Sequence, residues 1–144
     1  MSGRTFLALE DALVNRLKGE LPDAVHVLTA ADLATVAEGS QPTPAVHVVY
    51  GGLEVLETNT GFTSYQERWL AVIAVRNVAA IKSGTAARVD VGALAEQVND
   101  ALCYFRAAGA RPLQPVTPPK PAYNAGYMYF PLAYTTGFTR PHAC

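Results

Sequence analysis

Residues 67–78 read E-R-W-L-A-V-I-A-V-R-N-V, Glu67 to Val78. Successive residues of a strand point to opposite faces. One face therefore carries Trp69, Ala71, Ile73 and Val75, and the other Leu70, Val72 and Ala74. Apolar side chains on both faces need cover on both sides, which makes this stretch a central strand. Arg68 and Arg76 mark where it is expected to reach water.

On the N-terminal side, Phe6, Leu9, Leu13 and Leu17 recur at helical spacing between Thr5 and Lys18, with Ala12 and Val14 widening the stripe. Ser2 or Thr5 can cap this helix, and Gly19 and Pro22 stop it. Ala24 to Leu28 reads as a short strand, whereas Ala30 to Glu38 fits either a helical turn or a strand. Pro42 and Pro44 forbid regular pairing in the loop before Ala45 to Tyr50, a strand ended by Gly51-Gly52. Leu53 to Thr58 continues as an exposed or edge strand with Glu54 and Glu57 facing out.

Beyond the central strand, Ala79 to Arg88 is expected to be a polar loop. Asp90 then caps a second helix whose stripe is Val91, Leu94, Val98, Leu102 and Phe105. Gly92 falls in its first turn, where it allows close approach to a neighbour. Arg111 to Pro121 is proline-rich and therefore extended and stiff. Gly126 to Thr136 holds two strand-like runs around Pro131, and a proline there implies an edge or a bulge. Gly137 to Cys144 reads as a loose tail. This order predicts an α+β fold, a mostly antiparallel sheet with two helices packed on one face, in a single domain over residues 1–144.

The totals fit that picture. A chain of 144 residues buries roughly 70% of its unfolded surface without needing disulfides or metal. Eleven Lys and Arg against twelve Asp and Glu leave a net charge of −1, so no global basic field recruits nucleic acid. Only 16% of residues are charged, which fits a protein that works against a partner and equally a monomer with a large core. Cys103 and Cys144 make a poor disulfide pair. Neither a signal-peptide core nor a window of about 20 apolar residues is evident, so the expectation is a soluble protein made in the cytoplasm, off the membrane.

Reactive constellations are thin. His26 and His47 both fall in strands, but no third ligand stands at metal-site spacing. Cys103 neighbours the apolar Leu102, and a packed small hydrophobe explains it better than a nucleophile. Ser83-Gly84-Thr85, next to Lys82, lacks the glycine–lysine frame of a phosphate loop. Lys82, Arg88, Arg68 and Arg76 with Tyr123, Tyr127, Tyr129 and Tyr134 could make a basic, stacking surface for nucleic acid. A β-sheet surface accounts for the tyrosines more simply, and a protein interface is favoured over sequence-specific nucleic-acid binding. The expectation is therefore a non-enzyme without catalytic, cofactor-binding or metal residues. Arg68, Arg76, Tyr127 and Tyr129 are the candidate subunit-interface residues. A small enzyme or metal-binding domain built on His26, His47 and Glu54 is the alternative from another class.

The order of motifs resembles a known family. E-D-A-L-V-N-R-L (Glu10 to Leu17), P-A-V-H-V-V-Y-G-G (Pro44 to Gly52), W-L-A-V-I-A-V-R-N (Trp69 to Asn77), V-G-A-L-A-E-Q-V-N-D-A-L (Val91 to Leu102), and Tyr129-Phe130-Pro131-Leu132 before Tyr134-Thr135-Thr136 are similar to the Mu-type Gp-thirty-seven-like and tail terminator proteins of long-tailed phages and prophages. The likeness spans almost the whole chain and consists of apolar patterns; the proline-rich Arg111 to Pro121 connection and the tail ending in Cys144 are not matched to it. It implies a structural virion protein of the tail, a homo-oligomer forming a ring, commonly a hexamer. Such a ring caps the tail tube, stops its polymerisation and offers a surface for head joining. The implied partners are the tail tube protein and head–tail connector proteins. A head–tail connector, or neck, protein is the alternative within the same structural class.

Overall fold

The computed structural model describes residues 7–37, 40–76, 85–107 and 109–142. Its elements in chain order are α1 (Leu9–Glu20), β1 (His26–Thr29), α2 (Ala30–Leu33), β2 (Ala45–Thr58), β3 (Phe62–Arg76), α3 (Thr85–Leu102), β4 (Gln114–Val116), β5 (Ala122–Asn124) and β6 (Tyr127–Pro141). The expected α+β fold is what forms. The sheet order is β1-β2-β3-β6-β4, with β5 also on β6. All pairings are antiparallel except β1 with β2.

The central position of β3 follows from its double-sided apolar pattern, with β2 along one edge and β6 along the whole of the other. Register aligns Val46, Ile73 and Phe130 across the three strands, and likewise Val48, Ala71 and Leu132. On this face α1 sets Leu9, Leu13 and Leu17, and α3 sets Val91, Leu94, Val98 and Leu102, into one core with Trp69, Ala71, Ile73 and Val75. Trp69 is 1% exposed and meets the Tyr50 ring edge-on at 5.1 Å. A buried aromatic of that size carries much of the burial energy of a small core.

Several expectations change. The α1 helix begins at Leu9 with Ala8 as a cap that supplies no side-chain bond; Ser2, Thr5 and Phe6 lie outside the described residues. The ambiguous stretch after β1 holds a single helical turn, Ala30–Leu33, because Thr29 and Asp32 form a reciprocal capping box: the Thr29 amide donates to Asp32 Oδ2 at 2.8 Å; Glu38 lies outside the described residues. Helix α3 starts at Thr85, so Asp90 lies inside it and residues 85–88 are helical rather than loop; residues 79–84 of that expected loop lie outside the described residues. Gly92 is then well within the helix, where an added Cβ meets nothing within 4 Å, so no neighbour among the described residues approaches it closely. The helix also stops at Leu102, short of Phe105.

Gly51-Gly52 does not end β2. Gly52, at φ +121°, carries the strand through a register shift between Tyr50 and Gly52, and a Cβ on Gly51 would stand 2.9 Å from the Arg68 carbonyl oxygen. Gly51 lets the bulged strand pass where a side chain would meet the β3 backbone, and Gly52 supplies the positive φ of the bulge. The strand thus continues to Thr58, and β3 begins at Phe62. Arg68 consequently lies mid-strand, not at an end, and Glu67 beside it is fully buried at 0% exposure. Its Oε2 accepts from the Leu7 amide at 3.5 Å. Burial, and after it the Glu67 carboxylate and the bond to it, raise the Tyr50 pKa.

Nor is the C-terminal segment loose as far as His142; Ala143 and Cys144 lie outside the described residues. Strand β6 runs to Pro141, pairing residue for residue with β3 back to Phe62. Thr63 and His142 add a side-chain bond of 2.8 Å, and Ser64 and Thr139 one of 3.0 Å. Pro131 sits at an edge in a local sense. On the outer side of β6, β5 pairs only as far as Tyr129 and β4 only from Ala133, so a missing donor in that gap breaks no ladder bond.

Candidate assembly surface

Arg68, Arg76, Tyr127 and Tyr129 share the sheet face opposite the helices, as alternation along β3 and β6 and their register require. They form two groups rather than one. At one end, Arg76 is exposed; its Nη1 donates to the Tyr127 hydroxyl at 3.2 Å, and its guanidinium lies 5.5 Å from that ring centroid. Tyr127 is only 1% exposed, and its hydroxyl donates to the Gln41 carbonyl at 3.5 Å. Gln41 Nε2 in turn donates to the Tyr129 hydroxyl at 2.7 Å. The Tyr127 and Tyr129 rings stand 6.3 Å apart, and His47 meets Tyr129 at 6.2 Å. Arg68 stands eight residues back along β3, roughly 26 Å away, where its Nη2 donates to the Thr117 carbonyl at 3.1 Å. It braces the proline-rich connection to the sheet.

The residues of the alternative reading are not gathered. His26 is exposed on β1 and His47 buried on β2, on one face through the β1–β2 register. Glu54 lies seven residues beyond His47 along β2, roughly 20 Å or more away. Among the described residues no three His, Cys, Asp or Glu side chains are grouped to hold a metal ion. Among the described residues His47 Nε2 has no hydrogen-bond partner, and burial lowers its pKa, favouring the neutral ring. Cys103 follows the last residue of α3, is half-buried and packs on the core. Tyr134 beneath it donates to Asn99 Oδ1 at 2.8 Å; burial, then the nearby Cys103, pushes the Tyr134 pKa up. Lys82, Ser83, Gly84 and Cys144 lie outside the described residues, and Thr85 and Arg88 are in α3.

One surface feature was only half legible. Beyond the glycine bulge every residue from Leu53 to Thr58 is exposed. Leu53, Val55 and Leu56 are open by 44%, 56% and 49%, so the aliphatic residues there are exposed as well as the two glutamates. The signal was present in L-E-V-L-E-T, whose apolar residues outnumber its acids on an edge strand. Among the described residues no helix is long and apolar enough to cross a membrane.

What the described residues assemble is a sheet packed on its helices with exposed strand edges, and an exposed edge is a template for pairing with a further strand. The family comparison is specific: the model of the family described as phage tail terminator protein matches residues 4–143. The chain belongs to the phage tail terminator family, and with it to the structural proteins of the bacteriophage tail. No curated protein matches the chain.

Proposed function

We propose that this chain is the subunit of a ring that caps the tail tube, ends its polymerisation and presents a surface for joining the head. The observation that carries the reading is family membership over residues 4–143. The exposed aliphatic edge of β2 supports it, since such an edge is a template for pairing with another chain. The physical logic is termination. Tube subunits stack by a contact that never closes along the axis. A ring whose lower face mimics a tube ring and whose upper face differs stops growth and offers a new docking surface. No bond is made or broken, so no catalytic group or cofactor is needed.

In this reading the ring is hexameric, the tube protein docks below and the head–tail connector proteins above. Arg68, Arg76, Tyr127 and Tyr129 contribute through the open face: Arg76 and Tyr129 directly, Tyr127 by holding Arg76 from beneath. The test is a phage lacking the gene. Tails of uncontrolled length that do not join heads are expected; tails of normal length joined to heads would reject the proposal.

A further inference from the structure

We infer that the distal edge of β2, Leu53 to Thr58, pairs with the distal edge of β6 in a second copy of this chain. The occupant follows from four observations. First, among the described residues β2 past the bulge has β3 as its one strand neighbour, since β1 pairs only from Ala45 to Val48. Likewise, from Phe138 to Pro141 the strand neighbour of β6 among the described residues is β3 alone. The β2 edge leaves backbone donors and acceptors for a further strand; on the outer side of β6 the Arg111 amide donates to the Gly137 carbonyl, so alternation turns the Thr139 amide and carbonyl and the Pro141 carbonyl outward.

Second, the two edges stand at one height on opposite sides of the same sheet. Leu53 to Thr58 pairs with Thr63 to Glu67, and Phe138 to Pro141 with Phe62 to Tyr65. Both outer strands are antiparallel to β3 and so run in one direction. A rotation that preserves strand direction therefore lays β2 of one copy alongside β6 of the next, in parallel. Because two different edges meet, the contact is head-to-tail, the kind that makes a ring when its rotation closes.

Third, the charges match. Glu54 and Glu57 are exposed, and neither makes an ion pair among the described residues. By register both project on the face that bears Gln66 and Gly137. On that face Arg111 lies across Gly137, its Nη1 2.7 Å from where a Cβ would stand, and it too has no carboxylate partner among the described residues. A sheet continued from copy to copy keeps its faces, so the acids of one edge come beside the arginine at the other. Fourth, one of the other edges of the sheet is blunted: β4 is three residues long with Pro115 at its centre, a residue that cannot donate to a ladder.

The pairing deepens the ring reading and rests on it for closure alone. Sedimentation velocity over a concentration series tests it on the full chain, with circular dichroism confirming the fold of each variant. Glu54→Arg with Glu57→Arg is expected to raise the concentration for half-assembly by roughly tenfold, and Arg111→Glu alone to do the same. Combining all three substitutions in one chain re-pairs the charges at every contact and is expected to restore assembly. Assembly unchanged by the reversals overturns the edge pairing while the ring reading stands. Sensitivity to the glutamate changes with indifference to Arg111→Glu overturns it in favour of β2 pairing with itself. A chain that stays monomeric at every concentration overturns both.

Discussion

The Tyr134 hydroxyl donates to Asn99 Oδ1 at 2.8 Å, tying the middle of β6 to the last turns of α3. The bond spans the core beside Trp69, because Tyr134 and Trp69 are paired across β6 and β3. Tyr134→Phe removes the donor with little change in volume and leaves the half-exposed Asn99 amide free to turn to water. The expected cost is about 1 kcal/mol of stability, read as a lowered urea midpoint at unchanged slope.

Trp69→Ala should be far more costly. The indole is buried between both helices and the sheet, so truncation loses its transfer energy and leaves a cavity. A loss of about 3–5 kcal/mol is expected, measured by chemical denaturation. A loss below about 1 kcal/mol would contradict the packing described.

The bulge at Gly52 has a distinct signature. A Cβ there meets nothing within 4 Å, yet the backbone sits at φ +121°. Gly52→Ala should therefore destabilise by about 1–3 kcal/mol through conformation alone. Replacing Gly92, which has open space and no positive φ, by Ala should instead stabilise α3 by roughly 0.5–1 kcal/mol. Thermal midpoints moving in opposite directions check the pair.

His47 predicts a pH dependence. Burial holds its pKa below the ordinary 6.5, so between the folded and unfolded values the unfolded chain binds more protons. Stability attributable to this ring is then present above the unfolded value and lost as pH falls through it towards the folded one. His47→Gln should flatten the rise in urea midpoint from acidic to neutral pH; an identical slope in both proteins would exclude His47 as its source.

Arg76→Glu addresses the open face. It ends the cation–π contact with Tyr127 and places a carboxylate at the exposed end of β3. Weakened self-assembly with the fold retained is expected by sedimentation; assembly at wild-type concentrations would remove Arg76 from the interface.

The patterns that repeat over a few residues were readable directly. Leu9, Leu13 and Leu17 define the buried side of α1 because helical geometry brings every third or fourth residue to one face. Trp69 to Val75 announce a central strand because alternation with apolar residues on both sides has few other solutions. The same local chemistry marked Leu53 to Thr58 as an exposed strand. Tertiary structure decided the rest. Gly137 to Pro141 looked loose because nothing nearby in the chain pairs with it; its ladder partner, Phe62 to Gln66, lies far back in sequence and supplies the order. Glu67 looked like a strand end but is buried, because the two glycines carry β2 and β3 past it and Leu7 closes over its carboxylate. The open face and the opposed edges of β2 and β6 likewise exist only once three strands stand side by side, since an edge is defined by the absence of a neighbour and not by any residue of its own.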